Sequence, residues 1–127
     1  MSQDSGVKPS ELKLRRRSRV IEVRYPDGRV DLLTFEYLRT HSPSAEVQGH
    51  GPGQDVLQIA KENVQVIGIE PVGQYAVRLT FDDGHDTGLY TWKYLRELAA
   101  HYEENWARYL KRLDQIGYRR KPAGPAH

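Results

Sequence analysis

The clearest structural signal in the sequence is YAVRLTFDDG at residues 75–84. Alternate positions from Tyr75 to Phe81 are apolar, and the positions between them are small or polar, which is the period of a strand with one buried face. The Asp-Asp-Gly that follows is typical of a hairpin turn, because glycine tolerates positive φ and aspartate can bond its own backbone. The segment therefore predicts a half-buried strand that enters a hairpin.

The same pattern occurs once before in the chain. YPDG at residues 25–28 lines up with FDDG at 81–84, and after one inserted residue LLTFEYLR at 32–39 lines up with LYTWKYLR at 89–96. Each copy is interpreted as a strand, an Asp-Gly turn, a strand, a threonine cap and a helix. The repeat predicts an α+β fold, with a small, mainly antiparallel sheet from two pseudo-repeated units that share one core.

The remaining periodicities define the other elements. Apolar residues spaced by three and four from Trp92 to Leu113 predict one long C-terminal helix, about 33 Å in length. The apolar stripe of this helix is expected to pack on the sheet. Because the helix is longer than a small sheet can cover, Trp106, Tyr109 and Leu113 can also meet a partner or a second copy of the chain, which predicts a homodimer contact. Leu38, Leu95 and Trp92 are expected in the core. We expect an edge strand at 12–14, further strands near 20–25, 29–33, 64–70 and 75–81, and helices near 35–40 and 92–114.

Composition favours one soluble domain. The 127 residues suit a single unit at residues 11–117, flanked by disordered ends at 1–10 and 118–127. The sequence has no cysteine, which excludes disulfides, thiolate-held iron–sulfur clusters and cysteine zinc sites. A polar start without an apolar h-region predicts no signal peptide, and no apolar run is long enough for a membrane span. We therefore expect a cytoplasmic protein that does not bind membranes.

The net charge is only +2, although two short basic runs stand out at residues 15–19 and 119–121. Neither run is interleaved with aromatic residues or placed in a recognition motif, so no nucleic-acid binding is expected. The Gly-rich segment at 49–53 lacks the Lys-Ser/Thr of a phosphate-binding loop. It belongs instead to a long loop, residues 40–56, of the kind that is usually functional or mobile.

Several of these motifs together carry a family resemblance. The pattern V-x-Y-x-D-G, L-R-x-x-S-P-S-A-E-V and V-G-x-Y-A-V-x-L-x-F-x-D-G-H-x-x-G-L-Y-x-W-x-Y-L-R resembles the gamma-butyrobetaine hydroxylase-like N-terminal domain family, also known as DUF971. The resemblance covers roughly residues 11–100 and is that of a stand-alone bacterial member. In the hydroxylase this domain precedes an oxygenase domain and holds a structural zinc, and a similar domain ends a family of plastid iron–sulfur carriers.

The resemblance implies a zinc site that this sequence has largely lost. The positions that match the three family cysteines are Ser42, Ser44 and Val47, and the matching histidine is His85. Serine and valine do not replace thiolates as zinc ligands, so closed zinc binding is not expected. The family folds the long loop towards the hairpin of His85, which makes a second donor set conceivable. His85, His41, His50 and Glu46 are therefore the candidate nitrogen and oxygen ligands for weakly bound zinc, iron or nickel.

These observations predict a binding protein rather than an enzyme. In the family, the residues of the oxygenase reaction lie on a separate domain that is not part of this sequence. Ser42 and Ser44 are close to His41 in the sequence, but this does not show that a serine and the histidine are placed for catalysis. We expect a non-catalytic adaptor with a protein partner and no required cofactor, serving metalloprotein or iron–sulfur maturation as the fused relatives suggest. The alternative is a metal-binding domain that uses His85 with loop donors.

Overall fold

The computed structural model describes residues 7–49, 51 and 53–121. These residues form two three-stranded antiparallel sheets and four helices, so the predicted α+β class is confirmed. In the first half, strands β1, β2 and β3 pair in that order and are followed by helices α1 and α2. Strands β1, β2 and β3 span Glu11–Arg15, Val20–Arg24 and Val30–Thr34, and helices α1 and α2 span Phe35–Thr40 and Ala45–Gln48.

The second half repeats this order of three strands followed by two helices. Strands β4, β5 and β6 pair in sequence order, and helices α3 and α4 follow. Where one sheet was predicted there are two, because the described strands of each half pair only with one another. The pairing of β4 with β5 contains a bulge, a register shift between Val66 and Gly68. Strands β4, β5 and β6 span Val66–Val72, Ala76–Phe81 and Leu89–Thr91, and helices α3 and α4 span Trp92–Ala100 and Tyr102–Gln115.

Both Asp-Gly turns close hairpins, as the repeat predicts. Gly28 and Gly84 each have a φ of 91°, the left-handed region that favours glycine. In each turn the aspartate before the glycine accepts a hydrogen bond from the residue after it, at 2.9 Å for Asp27 and 3.2 Å for Asp83. The closing backbone bonds are also equivalent, Tyr25 N to Arg29 O at 2.9 Å and Phe81 N to His85 O at 2.9 Å.

The two helix starts are equivalent in the same way. Thr34 accepts a hydrogen bond from the Tyr37 N–H at 3.0 Å, and Thr91 accepts one from the Tyr94 N–H at 3.0 Å. These are N-cap bonds, each of which satisfies an otherwise unpaired helix donor. The threonine caps predicted from the repeat are thus present in both halves.

The halves are joined by reciprocal bonds. The Tyr37 hydroxyl donates to the Leu98 carbonyl at 2.7 Å, and the Tyr94 hydroxyl donates to the His41 carbonyl at 2.6 Å. Since Tyr37 matches Tyr94 and His41 matches Leu98 in the repeat, each half makes the same contact to the other. The two halves therefore contact each other in equivalent ways.

The two repeated arginines also cross between halves. Arg39 reaches the second hairpin and bonds Asp83 at 2.9 Å, while the Arg96 guanidinium lies 4.5 Å from the ring centre of Tyr25 at the first hairpin. Both arginines are buried, with 7% and 6% of their surface exposed. Each arginine thus joins its own half to the hairpin of the other half, Arg39 through a side-chain bond and Arg96 through a ring contact.

One hydrophobic core lies between the halves. It contains the predicted residues Leu38, Leu95 and Trp92, together with Leu33 and its repeat equivalent Tyr90. The buried Tyr90 hydroxyl has a hydrogen-bond partner in this core, because it donates to the Leu38 carbonyl at 2.6 Å. The halves therefore share a core, as predicted.

The long C-terminal helix is interrupted at His101, whose ψ of 22° lies outside the helical range. After this break α4 packs against the rest of the domain, so Tyr109 and Leu113 are only 4% and 2% exposed and do not project beyond the sheets. Two of the three residues of the predicted homodimer contact are thus buried and Trp106 is half-buried, so the homodimer stays a prediction without that support. Across the described part of the chain, no helix has both the length and the apolar composition needed to cross a bilayer.

The folded unit extends beyond residues 11–117 at both ends. Ser10 N donates to the Arg24 carbonyl at 2.7 Å, which continues the first sheet. Near the other end, the Tyr118 hydroxyl and the Lys121 N–H donate to Glu62 at 2.7 and 2.9 Å. Both ends of the predicted domain are therefore followed by residues that contact it.

Candidate functional site

The positions that the family resemblance singles out lie together in the structure. His85 Nε2 is 2.8 Å from Ser42 Oγ and 3.4 Å from Ser44 Oγ. Ser42 has no exposed surface, and Ser44, His85 and Val47 are also buried. The predicted meeting of the long loop with the second hairpin is therefore present, and we call these four residues the serine–histidine cluster.

Local structure fixes both sides of this cluster. Ser42 follows the end of α1, and its hydroxyl accepts a hydrogen bond from the Ser44 N–H at 3.3 Å, just before α2 begins. Gln48 from α2 donates to the Ser42 carbonyl at 2.8 Å. Gly88 leaves the space that Ser42 occupies, since a Cβ at Gly88 would lie 2.6 Å from the serine oxygen. The cluster is therefore tightly packed.

His85 is held on all sides. Its backbone N–H donates to Asp83, and its Nδ1 lies 3.3 Å from Glu46 Oε1. Burial lowers the pKa of His85, and the charge of Arg39 lowers it further, against the weaker opposing influence of Glu46. The imidazole is therefore neutral at neutral pH and uses both ring nitrogens within the protein.

The donor set does not fit the family zinc. Two hydroxyls and a valine stand where thiolates are needed, and a single histidine remains. Within residues 7–49, 51 and 53–121 no group of three or more histidine, aspartate, glutamate or cysteine side chains could hold a metal ion. Hydrogen bonds between hairpin and loop occupy this place instead.

The four predicted metal ligands are not brought together. Glu46 lies beside His85, but the His41 Nδ1 is 3.2 Å from the Tyr37 carbonyl and 3.0 Å from Thr40 Oγ1. The His41 ring packs on Tyr37 instead of facing the hairpin. His50 lies outside the described residues. The structure thus unites two of the four candidates and turns His41 elsewhere.

The contacts Ser42–His85–Glu46 have the connectivity of a nucleophile, a base and an orienting acid. A serine nucleophile must reach its substrate, however, and the Ser42 side chain is wholly buried under Gly88. The arrangement therefore serves packing and does not present a reactive hydroxyl.

An ion cluster lies next to this hairpin. Asp83 accepts hydrogen bonds from Arg39 at 2.9 Å and from Lys61 at 2.6 Å, and Gln58 accepts one from Arg39 at 3.0 Å. Burial disfavours the charged form of Asp83, but the Lys61, His85 N–H and Arg39 contacts outweigh it and lower its pKa to about 2. The repeated Leu-Arg pair was the only sequence signal for this cluster, since Gln58 and Lys61 lie in a loop without a motif.

Two clefts flank this region, and both are lined by Val47 and Gln58. The hairpin cleft, of about 280 Å³, lies between the loop and the second hairpin and contains Glu46, Lys61 and Asp86. The helix cleft, of about 350 Å³, lies between the loop and α4. It is lined by His41, Tyr94, Asn105, Arg108, Tyr109 and Arg112 among others.

Two histidines, the buried His85 and the half-buried His41, predict a loss of stability in mild acid. Burial lowers the pKa of both His41 and His85, so the unfolded chain binds more protons than the folded chain below about pH 6.5. The folded chain therefore suffers no loss of stability from these histidines above that pH. It loses stability as the pH falls towards the pKa values that the two histidines have in the folded chain. We expect the melting temperature of His85→Gln to fall less than that of wild type between about pH 7 and pH 5. Equal falls in calorimetry would contradict this.

Comparison with known proteins places the fold among solved structures. One solution NMR structure is 46% identical, with 98% of this chain and 93% of that chain covered and a TM-score of 0.80. A second NMR structure is 49% identical, with 94% of each chain covered and a TM-score of 0.76. A crystal structure from Acidithiobacillus ferrooxidans ATCC 23270, of a DUF971 protein with unknown function, is 43% identical, with 77% and 99% covered and a TM-score of 0.64.

No curated protein matches the chain. A sequence model of the family described as gamma-butyrobetaine hydroxylase-like, N-terminal, matches residues 12–96. This match runs from β1 into α3 and includes both hairpins, both threonine caps and the serine–histidine cluster. The resemblance seen in the sequence motifs is thereby confirmed. The chain belongs to the gamma-butyrobetaine hydroxylase-like N-terminal domain family.

Proposed function

We propose that this chain is a non-catalytic adaptor domain that binds a protein partner through the face formed by its two clefts. The observation that carries the proposal is that the clefts adjoin, sharing Val47 and Gln58. Their polar groups are already fixed by contacts such as Arg39–Asp83 and Arg112–Asp55, at 2.9 and 2.6 Å. A surface whose side chains are held in advance loses less entropy on binding, which favours recognition.

The serine–histidine cluster supports a role without metal. It ties the second hairpin to the segment that separates the clefts, through the 2.8 Å contact of Ser42 with His85. The family zinc would tie the same two segments, so in our proposal hydrogen bonds replace it as the brace of the binding face. A cytoplasmic location is compatible with this role, because a chain without cysteine needs no disulfides and is therefore suited to a reducing compartment. The fused relatives suggest metalloprotein or iron–sulfur maturation as the pathway.

Affinity capture from the native organism tests the adaptor role. The full chain is compared with Glu46→Lys/Asp86→Lys, which reverses two exposed acids of the hairpin cleft, and with Glu70→Lys/Glu103→Lys, which makes the same charge change elsewhere. We expect a protein enriched by the wild type and by the control but lost with the cleft variant. Equal capture by all three proteins, or no enriched protein, would refute the proposal.

Metal binding is the second candidate function, favoured by the 3.3 Å contact between Glu46 and His85 Nδ1. Since the family thiolates are missing, we predict that EDTA leaves the melting temperature unchanged within error, whereas loss of a structural zinc costs about 10–16 kcal/mol. Elemental analysis of untagged protein is expected to show no stoichiometric metal. A metal bound one to one, lost in His85→Ala, would replace the adaptor proposal by the metal-binding one.

A further inference from the structure

The helix cleft has one wall made by a single face of α4. Asn105, Arg108, Tyr109 and Arg112 follow one another at helical spacing and all line the cleft. The opposite wall is the segment 55–58, and His41 and Tyr94 also contribute to the lining. The cleft volume, about 350 Å³, is at the lower end of the range for small-ligand sites.

The walls of this cleft are joined by hydrogen bonds across it. The Tyr109 hydroxyl donates to the Gln58 carbonyl at 2.7 Å, which ties α4 to the opposite segment. Arg112 bonds Asp55 at 2.6 Å across the same gap. The Tyr94 hydroxyl donates to the His41 carbonyl at 2.6 Å. The cleft is therefore formed before any ligand arrives.

One positive charge in this cleft is left without a carboxylate. Arg112 is neutralised by Asp55, whereas Arg108 has, among the described residues, only the amide oxygen of Asn105 at 3.3 Å. His41 adds no charge near neutral pH, because burial and, more weakly, Arg108 and Arg112 lower its pKa. The described charged groups of the cleft thus sum to about one positive charge.

We propose that the helix cleft binds a single carboxylate group, held by the guanidinium of Arg108, on a ligand that is otherwise polar. A guanidinium presents paired N–H donors that match the two oxygens of a carboxylate. One net positive charge suits a monoanion better than a phosphate dianion, and the amides of Asn105, Gln48 and Gln58 line the rest of the space. This goes beyond the adaptor role, since it assigns the helix cleft a ligand group of its own.

The test is an NMR titration of the isotope-labelled full chain with N-acetylglycine, N-acetylglycinamide and inorganic phosphate at matched ionic strength. We expect saturable shifts of residues in α4 and at 55–58 with N-acetylglycine and none with the uncharged amide. Arg108→Gln should weaken binding by roughly tenfold or more, because a hydrogen bond to a charged group is lost. The control Arg78→Gln removes an exposed arginine of β5 and should change binding less than about twofold.

Two further arms decide the charge and the source of the carboxylate. Asp55→Asn releases Arg112, so the affinity for phosphate should rise by roughly tenfold relative to that for N-acetylglycine. An acetylated peptide with a free C-terminus that binds more tightly than N-acetylglycine identifies a protein chain end, and equal affinity identifies a free small carboxylate. Absence of saturable shifts, equal binding of the amide, tighter phosphate binding by the wild type, or unchanged binding in Arg108→Gln would overturn the proposal.

Discussion

Replacing Leu95 by alanine is expected to lower the free energy of unfolding by about 2–5 kcal/mol. Leu95 is 3% exposed and lies in the core that joins the two halves of the chain. The substitution removes buried methyl groups and leaves a cavity that neighbouring side chains fill only in part. Urea unfolding followed by circular dichroism measures the loss.

Two matched variants make this result specific. Leu38 is the repeat equivalent of Leu95 and is fully buried, so Leu38→Ala is expected to cost a similar amount. Leu110 on α4 is 39% exposed, and Leu110→Ala should change the free energy of unfolding by no more than about 0.5 kcal/mol. A small effect of Leu95→Ala would mean that the halves do not share this core.

Asp83→Asn is expected to cost about 2–3 kcal/mol, the second largest effect. Arg39 is buried and depends on Asp83 for its charge partner, and Lys61 shares the same oxygen. An amide leaves both cations without a carboxylate at that point, and a buried guanidinium without its partner is costly. Chemical denaturation at neutral pH gives the difference.

The same carboxylate predicts a distinct acid dependence. Because the contacts of Asp83 lower its pKa from 3.8 to about 2, its stabilisation is present above pH 3.8 and is lost as the pH falls towards 2. In Asp83→Asn this part of the acid-induced loss should be missing. Asp86→Asn, an exposed change on the same hairpin, serves as the control and should follow the wild type. An unaltered acid profile in Asp83→Asn would contradict the assignment.

Most of the fold was predictable because its signals are local. The turns at Gly28 and Gly84 and the caps at Thr34 and Thr91 depend on residues only a few positions apart, and all four are present. The pairing of strands between halves is not a local property, so one sheet was predicted where two exist. The continuous apolar stripe likewise hid the break at His101, because a bend that keeps the stripe buried leaves no mark in its spacing.

The site was predictable only where the family resemblance reached. It correctly placed Ser42 and Ser44 beside His85, which no spacing in this sequence implies. It did not place His41, whose ring lies against the buried rings of Tyr37 and Tyr109 in tilted and edge-on contacts. The clefts depend on segment 53–61, which has little regular structure and therefore no periodicity to interpret.

The reciprocal tyrosine bonds have an evolutionary consequence. The Tyr37 hydroxyl bonds the Leu98 carbonyl of the second half, and the Tyr94 hydroxyl bonds the equivalent His41 carbonyl of the first, so neither half completes these hydrogen bonds by itself. Two copies of one half would make the same two contacts as an isologous dimer. The chain thus has the form expected of a duplicated and fused half-length ancestor. The two hairpins now differ at the position after the glycine, which is His85 in one and Arg29 in the other.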